Sequence, residues 1–222
     1  MANLFPIMLN LENRPCLVVG GGEVATRKVD DLLDCYASVR VVSPQISPRI
    51  KELEAAGKVI WLNRGFTELD VEGMVVVISA TSDESVNSQV ALICRNRGIM
   101  VNVVDDPPKC DFFIPAVVRQ GSLMLTVSTE GNSPLLAHRI KEELQQTYGE
   151  EYRHLVEILG EARYIIKESV PDIENRKKIF ANLVEGSLLE VIRNEGPERA
   201  REWILNVYRS CRSESPDSAA GD

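Results

Sequence analysis

The chain has 222 residues, 44% of them hydrophobic and 26% charged, with a formal net charge of −8. That is apolar material enough for one large domain or two smaller ones sharing an interface, with the charged fraction of an ordinary soluble protein. The acidic balance excludes general binding to nucleic acid or to an anionic membrane, so an anionic ligand would need a local basic patch.

Five cysteines (Cys16, Cys35, Cys94, Cys110 and Cys211) are odd in number, widely spaced and free of any C-x-x-C. They predict reduced thiols in a cytoplasmic protein rather than a disulfide framework or a thiolate zinc site. No apolar run reaches the ~18 residues of a membrane span. The opening Met-Ala-Asn-Leu-Phe-Pro lacks the basic and apolar segments of a signal peptide.

In chain order, residues 4–11 suit a short edge strand whose pairing Pro6 limits. A continuous apolar run predicts a buried strand over 16–19. Three glycines follow, and then a helix over 24–36 with Val24, Val29, Leu32 and Leu33 on one face. A second strand over 39–43 closes at Pro44. A helix over 48–56 has Pro48 in its first turn and Gly57 past its end. Strands follow over 59–62 and 74–80. A helix capped by Asp83 or Ser85 runs to Arg97 and stops at Gly98, and a fifth strand covers 99–104. Alternating buried strands and helices predict an α/β fold, a Rossmann-like doubly wound parallel sheet. Ligands bind such sheets outside the carboxyl ends of the strands. Those ends, at residues 20–22, 43–44, 80–81 and 102–105, form one candidate site.

After Asp105 the pattern changes. Residues 112–119 and 123–128 alternate as a hairpin around Gln120-Gly121. Ser133 caps a helix over 135–148 with Pro134 at its first position, an apolar stripe of Leu136, Ile140 and Leu144 beside Leu135, and Gly149 at its end. From 150 to 210 the sequence reads as several helices broken at Pro171, Gly186 and Gly196-Pro197, before a small, polar tail over 213–222 that reads as disordered. No internal repeat is visible.

The stretch Gly20-Gly21-Gly22-Glu23-Val24-Ala25-Thr26-Arg27-Lys28 carries the clearest chemistry. Gly20, Gly22 and Ala25 fit G-x-G-x-x-G/A, and a strand that breaks into glycine and restarts as a helix leaves backbone N–H groups to receive a pyrophosphate. A tight turn without a ligand fits the same glycines. The acid that usually accepts the adenosine ribose is absent, since Ser43-Pro44-Gln45 stands at the end of the second strand with Arg40 before it. The residues therefore do not separate NAD from NADP on physical grounds. His138 and His154, the two histidines, stand apart in helical stretches without paired ligand spacing, so no metal site is assigned.

The glycine stretch is followed in order by Ala80-Thr81-Ser82-Asp83-Glu84-Ser85-Val86-Asn87, Asn102-Val103-Val104-Asp105, Phe113-Ile114-Pro115-Ala116 and Val127-Ser128-Thr129-Glu130-Gly131-Asn132-Ser133-Pro134. That series resembles precorrin-2 dehydrogenase and the matching N-terminal module of siroheme synthase, over about residues 3–148. The resemblance implies NAD-dependent oxidation of precorrin-2 to sirohydrochlorin in a homodimer without nucleic-acid or membrane partners, and a chain lacking the methyltransferase module of the fused enzymes. It implies residues 1–112 as the NAD-binding domain, 113–149 as the dimerisation and active-site region, 150–212 as a small all-helical C-terminal domain and 213–222 as the tail. The family's essential aspartate falls on Asp105, a general base whose pKa would rise if it were partly buried. Its neighbour Asp106 is expected to point to solvent, and Asp-Asp-Pro-Pro is also a good turn sequence.

Cofactor contacts are expected from Gly20, Gly22, Glu23, Val24, Ser43, Pro44, Gln45, Ala80, Thr81, Asn102 and Val104. Asn102 lies near the nicotinamide, orients Asp105, or is a polar strand-end residue satisfied by backbone. Substrate contacts are expected from Arg119, Ser128, Thr129 and Arg139, with Arg27, Lys28 and Lys141 as further basic candidates for the substrate's carboxylates. Solvated surface charges and turn hydroxyls are the plain alternatives for these groups. Two other functions remain open: a bifunctional enzyme that also inserts Fe²⁺ as a ferrochelatase, and a non-catalytic NAD-binding redox regulator.

Overall fold

The computed structural model describes residues 4–213, and side chains through Leu205. Five parallel strands form one sheet in the order β3-β2-β1-β4-β5: β1 (Pro15–Val19), β2 (Ser38–Val42), β3 (Val59–Leu62), β4 (Val76–Ser79) and β5 (Met100–Val103). The strand order changes direction between β1 and β4, so the crevice at their carboxyl ends is the switch point where doubly wound sheets take ligands. Val18 pairs with Val41 on one side and Ile78 on the other.

Alternate strand residues feed two cores. Cys16, Val18, Val39, Val41, Val76 and Ile78 pack against Ala25, Val29 and Leu32 of α1 (Glu23–Leu33) and Ile50 and Leu53 of α2 (Pro48–Ala55). On the other face Leu17, Val19, Val77, Val101 and Val103 meet Val90, Ala91, Ile93 and Cys94 of α3 (Glu84–Arg97). Both faces are covered, so the central strand is apolar without a break from Cys16 to Val19. Ser47 caps α2 through Ile50 N–H, and Asp83, not Ser85, caps α3 through the amides of Ser85 and Val86. Gly98 ends α3 at φ 66°, the left-handed conformation that suits glycine.

The chain divides into two units at Ile114 and Pro115. The second has its own antiparallel hairpin, β6 (Ala116–Gln120) and β7 (Leu123–Val127), followed by α4 (Pro134–Thr147), α5 (Glu150–Ser169), α6 (Ile173–Glu185), α7 (Leu188–Glu195) and α8 (Pro197–Ser213). Ile158, Ala162, Ile166, Ile179, Leu183, Leu188, Ile192, Ala200 and Ile204 form its helical core.

Several expectations are corrected. Residues 4–11 form no strand, because β1 is already flanked by β2 and β4 and Pro6 offers no N–H. The first helix stops at Leu33, where the amides of Cys35 and Ala37 both turn back to Leu32 and Tyr36 adopts φ 57°. The fourth strand spans Val76–Ser79 rather than 74–80, since Met74 N–H closes a turn onto Val71. The hairpin turns at Gly121 and Ser122, one residue later than expected, and its first strand begins only after Pro115. In α4 only Ala137 is buried, and the apolar stripe stands open: Leu135 is 80% exposed and Leu136 48%. The expected tail lies outside the described residues beyond Ser213, which is the last residue of α8.

Candidate active site

The turn from β1 to α1 is built by close backbone approach. Gly20 stands at φ 120°, and a Cβ there would strike the Ala80 carbonyl at the end of β4. A Cβ on Gly21 would strike the Gln45 carbonyl and stand 2.9 Å from Ser43 Oγ. Gly22 differs, because a Cβ there would meet nothing within 4 Å. Gly22 is the N-cap of α1 and makes no side-chain cap, and the amides of Gly22, Glu23 and Val24 find no acceptor among the described residues. Two sealed glycines and one open glycine at an uncapped helix start fit a dinucleotide pyrophosphate: the backbone can approach it, and the helix field favours its charge.

The neighbouring loops lock this turn. Ser43 Oγ donates to the Gln45 carbonyl at 2.6 Å, and Trp61 Nε1 donates to the Ser43 carbonyl at 2.9 Å. Ser47 N–H reaches the Gly21 carbonyl at 2.8 Å. Pro44 and Gln45 are exposed beyond the end of β2. At β4, Ala80 and Thr81 are half-buried, and Asn87 of α3 accepts from Ser79 Oγ at 2.7 Å while donating to the Thr81 carbonyl at 3.0 Å.

The end of β5 places Val104 half-buried and Asp105 exposed. Asp105 holds φ 61°, and its carboxylate bonds no other described residue. The partial burial expected of it is not met within the chain. Asp106 does not turn to solvent as expected: its carboxylate is 2.6 Å from Lys109 Nζ, which also pairs with Glu84 at the start of α3. The reason is a ready cation three residues along the same loop. Asn102 is buried, with Nδ2 donating to the Phe112 carbonyl at 2.9 Å, so its amide nitrogen serves the loop; Oδ1 has no partner among the described residues. A cavity of about 380 Å³ is lined by Val24, Arg27, Lys28, Asp30, Asp31 and Val104, which joins the start of α1 to the end of β5.

In the second unit the Ser128 hydroxyl accepts from Glu130 N–H at 3.1 Å, and the Thr129 hydroxyl from Ser133 N–H at 3.1 Å. Both hold the turn that leads into α4. Arg119 is exposed, with Nη2 at 3.1 Å from Met124 Sδ, and Arg139 is exposed beside Glu143 at 3.2 Å. His138 and His154 lie beside Glu142 and Glu157. No group of three or more His, Cys, Asp and Glu among the described residues could hold a metal ion.

The solved structure of SirC, a precorrin-2 dehydrogenase, matches 93% of this chain and 100% of its own at 30% identity and a TM-score of 0.75. This chain belongs to that family. Three family models follow one another along it: "Putative NAD(P)-binding" over residues 7–116, "Sirohaem biosynthesis protein central" over 120–147 and "Sirohaem synthase dimerisation region" over 151–206. Siroheme synthases of Thioalkalivibrio sulfidiphilus and Pseudomonas aeruginosa are 38% and 37% identical, each over 91% of this chain. The chain spans 41% and 43% of those relatives' lengths.

Within this precorrin-2 dehydrogenase family chain, three site features escaped the sequence reading. Gly21 occupies the unspecified position of G-x-G-x-x-G/A, yet it is sealed on Gln45; a third consecutive glycine was the available signal. Thr26 Oγ1 bonds the Gly22 carbonyl at 2.9 Å and Ser47 Oγ at 2.7 Å, tying the starts of α1 and α2 together. Lys109 holds Asp106, and only its spacing from that residue hinted at it.

Proposed function

We propose that this chain catalyses the NAD-dependent oxidation of precorrin-2 to sirohydrochlorin in siroheme biosynthesis, with Asp105 as the general base. The observation that carries the reading is Asp105 itself. It is a free carboxylate in a left-handed backbone conformation, at a strand end of the NAD(P)-binding sheet. Non-glycine residues at positive φ collect at functional sites, where surrounding structure imposes them.

NAD would be held by the amides around Gly22, Glu23 and Val24, with Gly20 and Gly21 admitting the close approach. Ser43, Pro44 and Gln45 would border its adenosine side, and Ala80, Thr81, Asn102 and Val104 the floor of the crevice. When bound, the oxidised nicotinamide supplies a hydride acceptor. Loss of two hydrogens from the macrocycle also releases a proton, and the Asp105 carboxylate receives it. Arg27 and Lys28, on the cavity that Val104, Asp30 and Asp31 also line, supply positive charge for the substrate's carboxylates, with Lys28 paired to Asp31 in the free chain. In the second unit, Arg119 and Arg139 and the hydroxyls of Ser128 and Thr129 are the other candidate substrate contacts. A homodimer agrees with the dimerisation-region match over 151–206, and the exposed Leu135 and Leu136, in the preceding central match, are apolar surface it could cover. A cytoplasmic setting agrees with four free cysteines among the described residues. No described helix is long and apolar enough to cross a membrane.

The test is anaerobic incubation of the chain with precorrin-2 and NAD⁺, followed by the sirohydrochlorin spectrum. Asp105→Asn should lower kcat by about 100-fold, within the usual worth of a positioned base, with NADH affinity unchanged. Full activity in that variant would remove Asp105 from the mechanism.

A further inference from the structure

Residues 105–111 run back along the open edge of β5 as a strap. Asp111 accepts from Val101 N–H at 3.1 Å and returns its own N–H to the Val101 carbonyl at 2.8 Å. Cys110 Sγ receives Val103 N–H at 3.3 Å and lies 3.2 Å from the Val103 carbonyl. Two cations fasten the strap to α3. Arg95 donates to the Pro108 carbonyl at 2.6 Å, and Lys109 pairs with Glu84. Lys109 also holds the Asp106 carboxylate at 2.6 Å, so it joins the residue next to Asp105 to a different element of the fold.

This arrangement answers what imposes φ 61° on Asp105. A left-handed non-glycine backbone persists only where its neighbours over-determine it. On one side Val104 N–H is bound to the Ser79 carbonyl; on the other Asp106 N–H returns to Val103 at 3.2 Å, and its side chain is anchored. Lys109 and Asp106 are 23% and 25% exposed, while Glu84, the link to α3, is 69% exposed. Asp106 and Glu84 together hold the Lys109 ammonium above its usual range, Asp106 more strongly, so it stays charged across the working pH.

We propose that Lys109 is a positioning residue: by fastening Asp106 to α3 it makes Asp105, and not its neighbour, the carboxylate presented at the end of β5. The proposal rests on the reading of Asp105 as the base. Without Lys109 the Asp106 side chain is released while Arg95, Cys110 and Asp111 still hold the rest of the strap, and the base loses its fixed direction. Misplacement of this kind lowers the chemical step while leaving dinucleotide binding alone.

The experiment compares Lys109→Met and Lys109→Arg with the parent chain. Lys109→Met should lower kcat for precorrin-2 oxidation by about tenfold, with the KM for NAD⁺ within about twofold. Lys109→Arg, which can span the same two carboxylates, should restore most of the loss. Amide exchange at Asp106, read by NMR in the protein alone, should quicken about tenfold in Lys109→Met and not in Lys109→Arg. Parental kcat in Lys109→Met, failure of arginine to rescue, or unchanged exchange at Asp106 would each overturn the proposal. A parent chain that leaves precorrin-2 untouched would remove the functional reading; the exchange arm, needing no substrate, would still decide whether Lys109 fixes the Asp105 backbone.

Discussion

The two rims of the crevice are made rigid in different ways. The rim at β1 and α1 is fixed by backbone: Gly20 and Gly21 leave no room for a Cβ, and carbonyls of Ala80 and Gln45 fill the space instead. The rim at β5 is fixed by side chains, through Lys109, Arg95, Cys110 and Asp111. A backbone rim tolerates almost no substitution but needs no partner to stay in place. A side-chain rim can be loosened one bond at a time, and it is the one that carries the carboxylate. The difference suits the two tasks, since a pyrophosphate is bound by many fixed amides and a proton is received by one aimed group.

The largest effect expected on this comparison comes from Gly21→Ala. Its methyl must displace the Gln45 carbonyl, which is backbone and cannot swing aside, and would crowd Ser43 Oγ. Overpacking of this kind costs about 1–3 kcal/mol, and it opens the seam between the first two βα loops. The variant should melt several degrees lower and bind NADH at least about tenfold more weakly, by thermal unfolding and fluorescence titration. A variant with parental melting and affinity would break the claim that this rim is built by close packing.

Gly22→Ala sharpens the same point with a smaller and different effect. The methyl enters open space at an ordinary backbone conformation, φ −79° and ψ −169°, so folding should lose no more than about 1 kcal/mol of capping preference. If that space is the cradle, the methyl stands where the pyrophosphate would. NADH affinity should then fall about tenfold while melting barely moves, a loss of about 1.4 kcal/mol in binding alone. Equal affinity in the variant and the parent would place the dinucleotide elsewhere.

These contrasts explain what the sequence could and could not reveal. The sheet was legible because its short, mostly apolar runs, the helix cap at Asp83 and the helix stop at Gly98 are local signals. The glycine rim was legible in part: Gly20 and Gly22 show directly in the motif, while the seal of Gly21 depends on the Gln45 carbonyl of the next loop. The aspartate rim was legible only as a motif. Asp-Asp-Pro-Pro announces a turn, but which aspartate is held and which stays free depends on Lys109 and on Glu84, 25 residues away from it. At Leu135 and Leu136 periodicity reports an apolar face, not whether this chain or another body covers it. Leu4, Phe5, Ile7 and Met8 are exposed in the same way.

The smallest expected effect belongs to the strap and depends on pH. Burial, the main cause, pushes the Cys110 thiol above its ordinary value, with the nearby Asp106 and Asp111 charges adding to it. The thiol thus stays protonated at neutral pH and can donate to the Val103 or Asp106 carbonyl, at 3.2 and 3.3 Å. The folded chain holds this proton more tightly than the unfolded chain, whose cysteines ionise near about 8.5. The contribution is therefore complete below that pH and is lost as pH rises through the folded value. Cys110→Ala removes the acceptor of Val103 N–H and should cost about 1 kcal/mol at neutral pH. Raising the parent above about pH 9 should narrow the gap between the two, because the parent then loses what the variant already lacks. Chemical unfolding of both proteins across pH 7–10, with Val103 amide exchange followed alongside, measures the gap; one that widens with pH would show that the thiolate, not the thiol, supports the strap.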